Sequence, residues 1–68
     1  MIKEEAVKTI LRELEKQKKT FYTKNDIQRA ISRTLMLVDD RSIQKWFQFL
    51  FRLEYIYQKE IDKYILNT

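Results

Sequence analysis

The sequence predicts an α+β fold: three amphipathic helices in succession, closed by a C-terminal β-hairpin. Apolar residues recur at helical spacing in three separate blocks. Helix-start signals stand at Thr23 and Asp39. From Tyr55 onward the pattern changes to an Ile- and Tyr-rich run with a polar centre. The stretch from Thr23 to Tyr57, TKNDIQRAISRTLMLVDDRSIQKWFQFLFRLEYIY, is the most informative, because it joins two helices by a short turn and runs straight into the β-rich tail.

The first helix extends from Ile2 to about Lys18, with Ala6, Val7, Ile10, Leu11 and Leu14 on one stripe. Glu4 and Glu5 in its first turn suit the helix dipole, as do Lys16, Lys18 and Lys19 at its end. That lysine cluster reads as a solvated helix terminus before it reads as a phosphate clamp. Thr20-Phe21-Tyr22 breaks the periodicity and forms a very short strand or an extended connector.

Thr23 is the N-cap of the second helix, and Asp26 is placed to reach back and complete a capping box. Ile27, Ala30, Ile31 and Leu35 form its apolar stripe, with Lys24, Gln28, Arg29, Ser32 and Arg33 on or beside the wet face. Asp39 caps the third helix, and Val38 with Ile43 makes a hydrophobic-staple pair. Ile43, Trp46, Phe47, Leu50 and Leu53 gather on one side of that helix. Arg41, Lys45, Gln48 and Arg52 gather on the other, with Ser42 and Gln44 at the margins. Its apolar arc is wide, and we expect Phe51 to pack on the second helix and Phe49 against the hairpin. Exposure of either would point to a subunit interface. In the tail, a turn near Lys59–Asp62 pairs Tyr57 with Tyr64 and Ile56 with Ile65.

Composition narrows the function. The 68 residues form one domain, 1–68, and 44% hydrophobic with 13% aromatic residues is too apolar for a disordered tail. Histidine, cysteine and glycine are all absent. Without histidine or cysteine there is no His-based triad and no zinc site of the usual ligands. Without glycine there is no P-loop or dinucleotide-binding turn. The carboxylates stand in no metal-cage or acid–base spacing, so no enzyme activity, cofactor, metal or small-molecule ligand is expected. No apolar run reaches the roughly 20 residues of a membrane span, and the amino terminus is too charged for a signal-peptide core. A reducing, cytoplasmic location fits the missing cysteines. The Ile, Lys and Glu usage resembles that of proteins from heat-loving organisms.

A net charge of +4 favours an anionic partner, mildly. Residues 1–19 carry six cations against four anions, and residues 20–37 three against one. Residues 38–54 balance at three each and the tail at two each. The excess therefore lies in the first two helices.

With helix, extended piece, helix, turn, helix and hairpin in this order, the chain resembles winged helix-turn-helix domains. Small regulators from archaea and their viruses and plasmids are similar in size and composition. The most specific piece is VDDRSIQKWFQFLFRLEYIY, which looks like the family's recognition helix running into its first wing strand. The resemblance implies sequence-specific binding of double-stranded DNA, with the third helix (about 39–53) in the major groove. It assigns base reading to Arg41, Ser42, Gln44, Lys45 and Gln48, types suited to base edges. Phosphate contact falls to Lys24, Arg29, Arg33, Lys59 and Lys63. It also admits a homodimer that sets two recognition helices one DNA turn apart.

The chain departs from the family where Glu54 stands in place of a common glycine, so the third helix is expected to leave by another route. The wing lacks glycine and is weakly basic. Asp39 and Asp40 make good caps, yet would repel phosphates unless the helix enters with its middle. The rival reading is a winged-helix adaptor that binds protein within a replication or transcription complex.

Overall fold

The computed structural model describes residues 3–67 and has the predicted α+β architecture, consistent with a winged helix. Helices α1 (Lys3–Glu15), α2 (Lys24–Leu35) and α3 (Asp40–Arg52) precede strands β1 (Ile56–Glu60) and β2 (Lys63–Leu66). Ile2, the expected start of the first helix, lies outside the described residues. Among those described, no helix is long and apolar enough to cross a membrane.

Periodicity explains the core. Val7, Ile10 and Leu14 of α1 meet Ile27, Ala30 and Ile31 of α2, and Phe47 and Leu50 of α3 close the cluster. Ile56 and Tyr64 enter it from the hairpin. Each fully buried Leu or Ile contributes about 1.5–3 kcal/mol. Leu50, with no exposed surface, and Phe47 together anchor α3 in this core.

Helix α1 ends at Glu15, three residues earlier than predicted, because Lys18 is left-handed (φ 51°) and turns the chain back. Two of the end lysines are paired, Lys16 to Glu13 and Lys19 to Asp26, each at 3.2 Å. Tyr22 then performs two tasks. Its backbone exchanges N–H···O bonds of 2.9 and 2.8 Å with Tyr64, adding a one-residue edge to the hairpin. Its buried hydroxyl donates to the Leu14 carbonyl at 2.7 Å, satisfying an acceptor at the end of α1.

The capping box of α2 is present. Asp26 N–H donates to Thr23 Oγ1, and Thr23 N–H donates to Asp26 Oδ2, both at 3.1 Å. The Asp26 carboxyl is held below its ordinary pKa chiefly by that Thr23 amide, which outweighs the opposing effect of burial, with Lys19 adding to the lowering. Asp39 caps α3, but the Val38–Ile43 staple does not form. Val38 is 96% exposed, so the turn carries its side chain away from the helix.

The end of α3 corrects a second expectation. Glu54 is left-handed (φ 61°) although it is not glycine. Tyr55 N–H reaches the Leu50 carbonyl (2.9 Å) and Glu54 N–H the Phe51 carbonyl (3.1 Å), a complete Schellman closure. Asn67 supports the strained residue from the tail, donating its side-chain amide to the Glu54 carbonyl at 2.9 Å. The glycine-type exit is therefore kept without the glycine.

The hairpin register differs from prediction by one residue: Ile56 pairs with Leu66, and Tyr57 with Ile65. A bulge between Gln58 and Glu60 and a two-residue turn at Ile61-Asp62 produce the shift. Burial is the reason. The observed register puts Ile56 and Tyr64 on the same face, where both are buried, whereas the predicted one would turn one of them outward. Phe47 meets Tyr64 edge-to-face at 5.4 Å, joining α3 to the hairpin.

Candidate nucleic-acid interface

Helix α3 is held from within by Phe47 and Leu50, with Ile43 and Trp46 half-buried beside them. Its opposite side is determined by that anchorage. Arg41, Lys45, Gln48 and Arg52 follow one another at i, i+4, i+7 and i+11, so they form a single stripe, and all four are exposed. At 1.5 Å per residue the stripe is about 16 Å long, close to the rise of five base pairs. Among the described ion pairs none involves Arg41, Lys45 or Arg52.

Four of the five predicted base-reading residues share this surface. Arg41, Lys45 and Gln48 lie on the stripe, and exposed Gln44 borders it towards α2. Ser42 does not join them. It is half-buried on the opposite flank, and its hydroxyl donates to Asp39 Oδ2 at 3.3 Å. The Asp39 carboxylate also accepts the Arg41 N–H at 3.2 Å. Ser42 is thus part of the helix cap. Leu53 likewise leaves the apolar side assigned to it and is 54% exposed.

Two grooves border the stripe on its α2 side. One lies between α2 and α3, where Asn25, Gln28 and Arg29 face Asp40 and Gln44. The other lies between α3 and the hairpin, where Gln48, Phe51 and Arg52 face Gln58 and Tyr64. Phe51 therefore meets the hairpin groove and not α2, and stays 41% exposed. Phe49 turns towards α1, stacking edge-to-face on Trp46 at 5.5 Å beneath the Lys3 ammonium. Phe51 thus takes the place expected of Phe49, and Phe49 takes one beside α1 that was not expected. Reach across α3 decides this, since residues two apart on a helix point about 160° from each other.

The predicted phosphate residues divide. Lys24 sits where α2 approaches α3, its ammonium 5.5 Å from the centre of the Phe47 ring. Arg29 lines the α2–α3 groove. Arg33 lines the groove between α1 and α2, beside Glu13 and Asp26, and is not brought to the α3 surface. Lys59 is exposed at the bulge. Lys63 is shared between Glu60, at 3.2 Å, and the face of Phe21, at 5.4 Å.

The hairpin tip is tied down. Left-handed Asp62 accepts the Lys24 N–H through Oδ1 at 2.9 Å, capping α2 from 38 residues away in sequence. Sequence reading passed over Arg52, although it had placed that residue on the polar side of α3. It also passed over Gln58, Asn25 and Asp62. Arg52 was recoverable from spacing alone; the others depend on tertiary approach.

Comparison with protein-family models, with curated proteins and with solved structures found no match to this chain.

Proposed function

We propose that the protein binds double-stranded DNA sequence-specifically, as a small transcriptional regulator, with α3 in the major groove. The observation that carries this reading is the exposed stripe Arg41–Lys45–Gln48–Arg52, outside every ion pair among the described residues, on the second helix of a helix-turn-helix. Arginine grips guanine O6 and N7, and glutamine pairs with adenine N6 and N7, so Arg41, Gln44 and Gln48 are suited to base edges. Lys45 and Arg52 add charge along the same line. Lys24, Arg29 and Lys59 supply phosphate contact around it. The resemblance to winged helix-turn-helix regulators supports the same role, which belongs in the cytoplasm and needs no cofactor.

Selection from a random duplex pool tests specificity and symmetry together. An enriched motif is the expected result, and a palindromic one means that two copies bind as a dimer. Arg41→Ala with Lys45→Ala should then abolish preference for that motif while leaving far-UV CD and melting unchanged. Each well-placed bidentate base contact is worth about 1–3 kcal/mol. Unchanged preference for the motif in the double variant refutes the reading role on this part of the stripe.

One observation favours a second reading, the protein-binding adaptor. Met36 and Val38, in the turn before α3, are 87% and 96% exposed. Two apolar side chains in open solvent suit a protein contact. Salt separates the readings: DNA affinity that falls steeply with salt supports phosphate contact, and no binding at low salt favours the adaptor.

A further inference from the structure

An α-helix with its side chains is about 10–12 Å across, and the major groove is about 12 Å wide, so a helix lying in it meets both walls. On one side of α3 stand α2 and the hairpin. On the other, among the described residues, stands the amino end of α1, forming a slot lined by Lys3, Lys45, Trp46 and Phe49. We propose that this slot holds the sugar–phosphate strand on the far wall of the groove, with Lys3 and Lys45 as its phosphate ligands. The proposal rests on the DNA-binding reading and extends it to α1, a helix that reading leaves without a role.

Charge points to the occupant. Among the described residues two ammonium groups line the slot and no carboxylate does, whereas the groove between α3 and the hairpin has one cation, Arg52. The groove between α2 and α3 holds Asp40, and that between α1 and α2 holds Glu13 and Asp26. Helical spacing explains why Lys3 faces this way. It stands four and seven residues before Val7 and Ile10, both buried, so its stem leans over α3. Glu4 and Glu5 fall on other faces and are exposed.

The Lys3 ammonium rests 5.1 Å from the centre of the Phe49 ring, and Phe49 is braced edge-to-face by Trp46. A cation so placed is already partly ordered and gives up less freedom on meeting a phosphate. The aromatic floor beside it offers an apolar surface for deoxyribose. Lys45 belongs to both the slot and the exposed stripe, so the two surfaces are continuous.

The test measures affinity for duplex DNA against salt, together with the emission of Trp46, the sole tryptophan. Lys3→Ala should reduce the slope of log affinity against log salt by about 0.9, the share of one phosphate. It should weaken every duplex alike, and Lys3→Arg should restore the slope. Saturating duplex should also change Trp46 emission in the wild type. An unchanged slope in Lys3→Ala, with Arg41→Ala still impairing binding, overturns the proposal and leaves the DNA reading intact. Unchanged Trp46 emission at saturation overturns it equally. Failure of the wild type to bind any duplex at low salt removes the DNA reading and this proposal with it.

Discussion

Lys18, Met36, Glu54 and Asp62 all occupy the left-handed region, in a chain that has no glycine. For L-residues that conformation costs about 1–2 kcal/mol each. Glu54 is the clearest case, because the hydrogen bonds around it are backbone bonds or reach only its carbonyl. Glu54→Gly should therefore raise stability by about 0.5–1 kcal/mol, the gain reduced by the greater freedom of glycine in the unfolded chain. Thermal or urea melting reads it directly, and Glu54→Ala should show no comparable gain.

Asp26 yields a pH prediction. Its folded pKa lies below the unfolded one, so its contribution is complete above the unfolded value of about 3.9 and is lost as pH falls through the depressed folded value. Asp26→Asn should flatten the acid limb of a stability profile in that range. Capping residues such as Thr23, Asp26 and Asp39 were legible because they act within one turn of chain. The exposure of Val38 was not, since the path of a turn depends on what the two helices pack against.

Among the elements, the hairpin was legible as a hairpin but not in register. Its turn lacks the Asn-Gly or Gly signal that fixes register locally. A bulge and the burial of Ile56 with Tyr64 set it instead. The tip acts as a clasp on α2 through Asp62. Asp62→Gly keeps the left-handed backbone available and removes the carboxylate. Hydrogen exchange at the Lys24 amide should accelerate several-fold in that variant, while the Asp26 amide, held by Thr23, keeps its protection. Equal protection of Lys24 in both proteins would mean that the clasp contributes nothing in solution. Helix α3 was legible along its polar stripe, which follows from spacing. Its flanks were not, because Phe49 and Phe51 are sorted by which neighbour each side of the helix meets.

At the scale of the whole molecule, formal charge understated the candidate surface. Residues 38–54 are neutral overall, yet their anions and cations do not mix in space. Asp39 is drawn into the cap, Asp40 borders α2, and Glu54 follows the helix end. The stripe between them carries Arg41, Lys45 and Arg52. Counting charges by segment could not separate these, whereas helical spacing could. Leu50 ties this surface to the fold, and Leu50→Ala should cost about 2–5 kcal/mol, much of the stability available to a domain of this size. Loss of cooperative melting in that variant is the expected observation.

The most direct measurement of the central claim is an NMR titration of the protein with a selected duplex at low salt, following backbone amides and side-chain N–H groups. The account predicts that Arg41, Gln44, Lys45, Gln48 and Arg52 shift together as duplex is added, with the buried positions of α3 little changed. Spectra that stay unchanged at saturating duplex, or shifts confined to the Met36–Val38 turn, would contradict it.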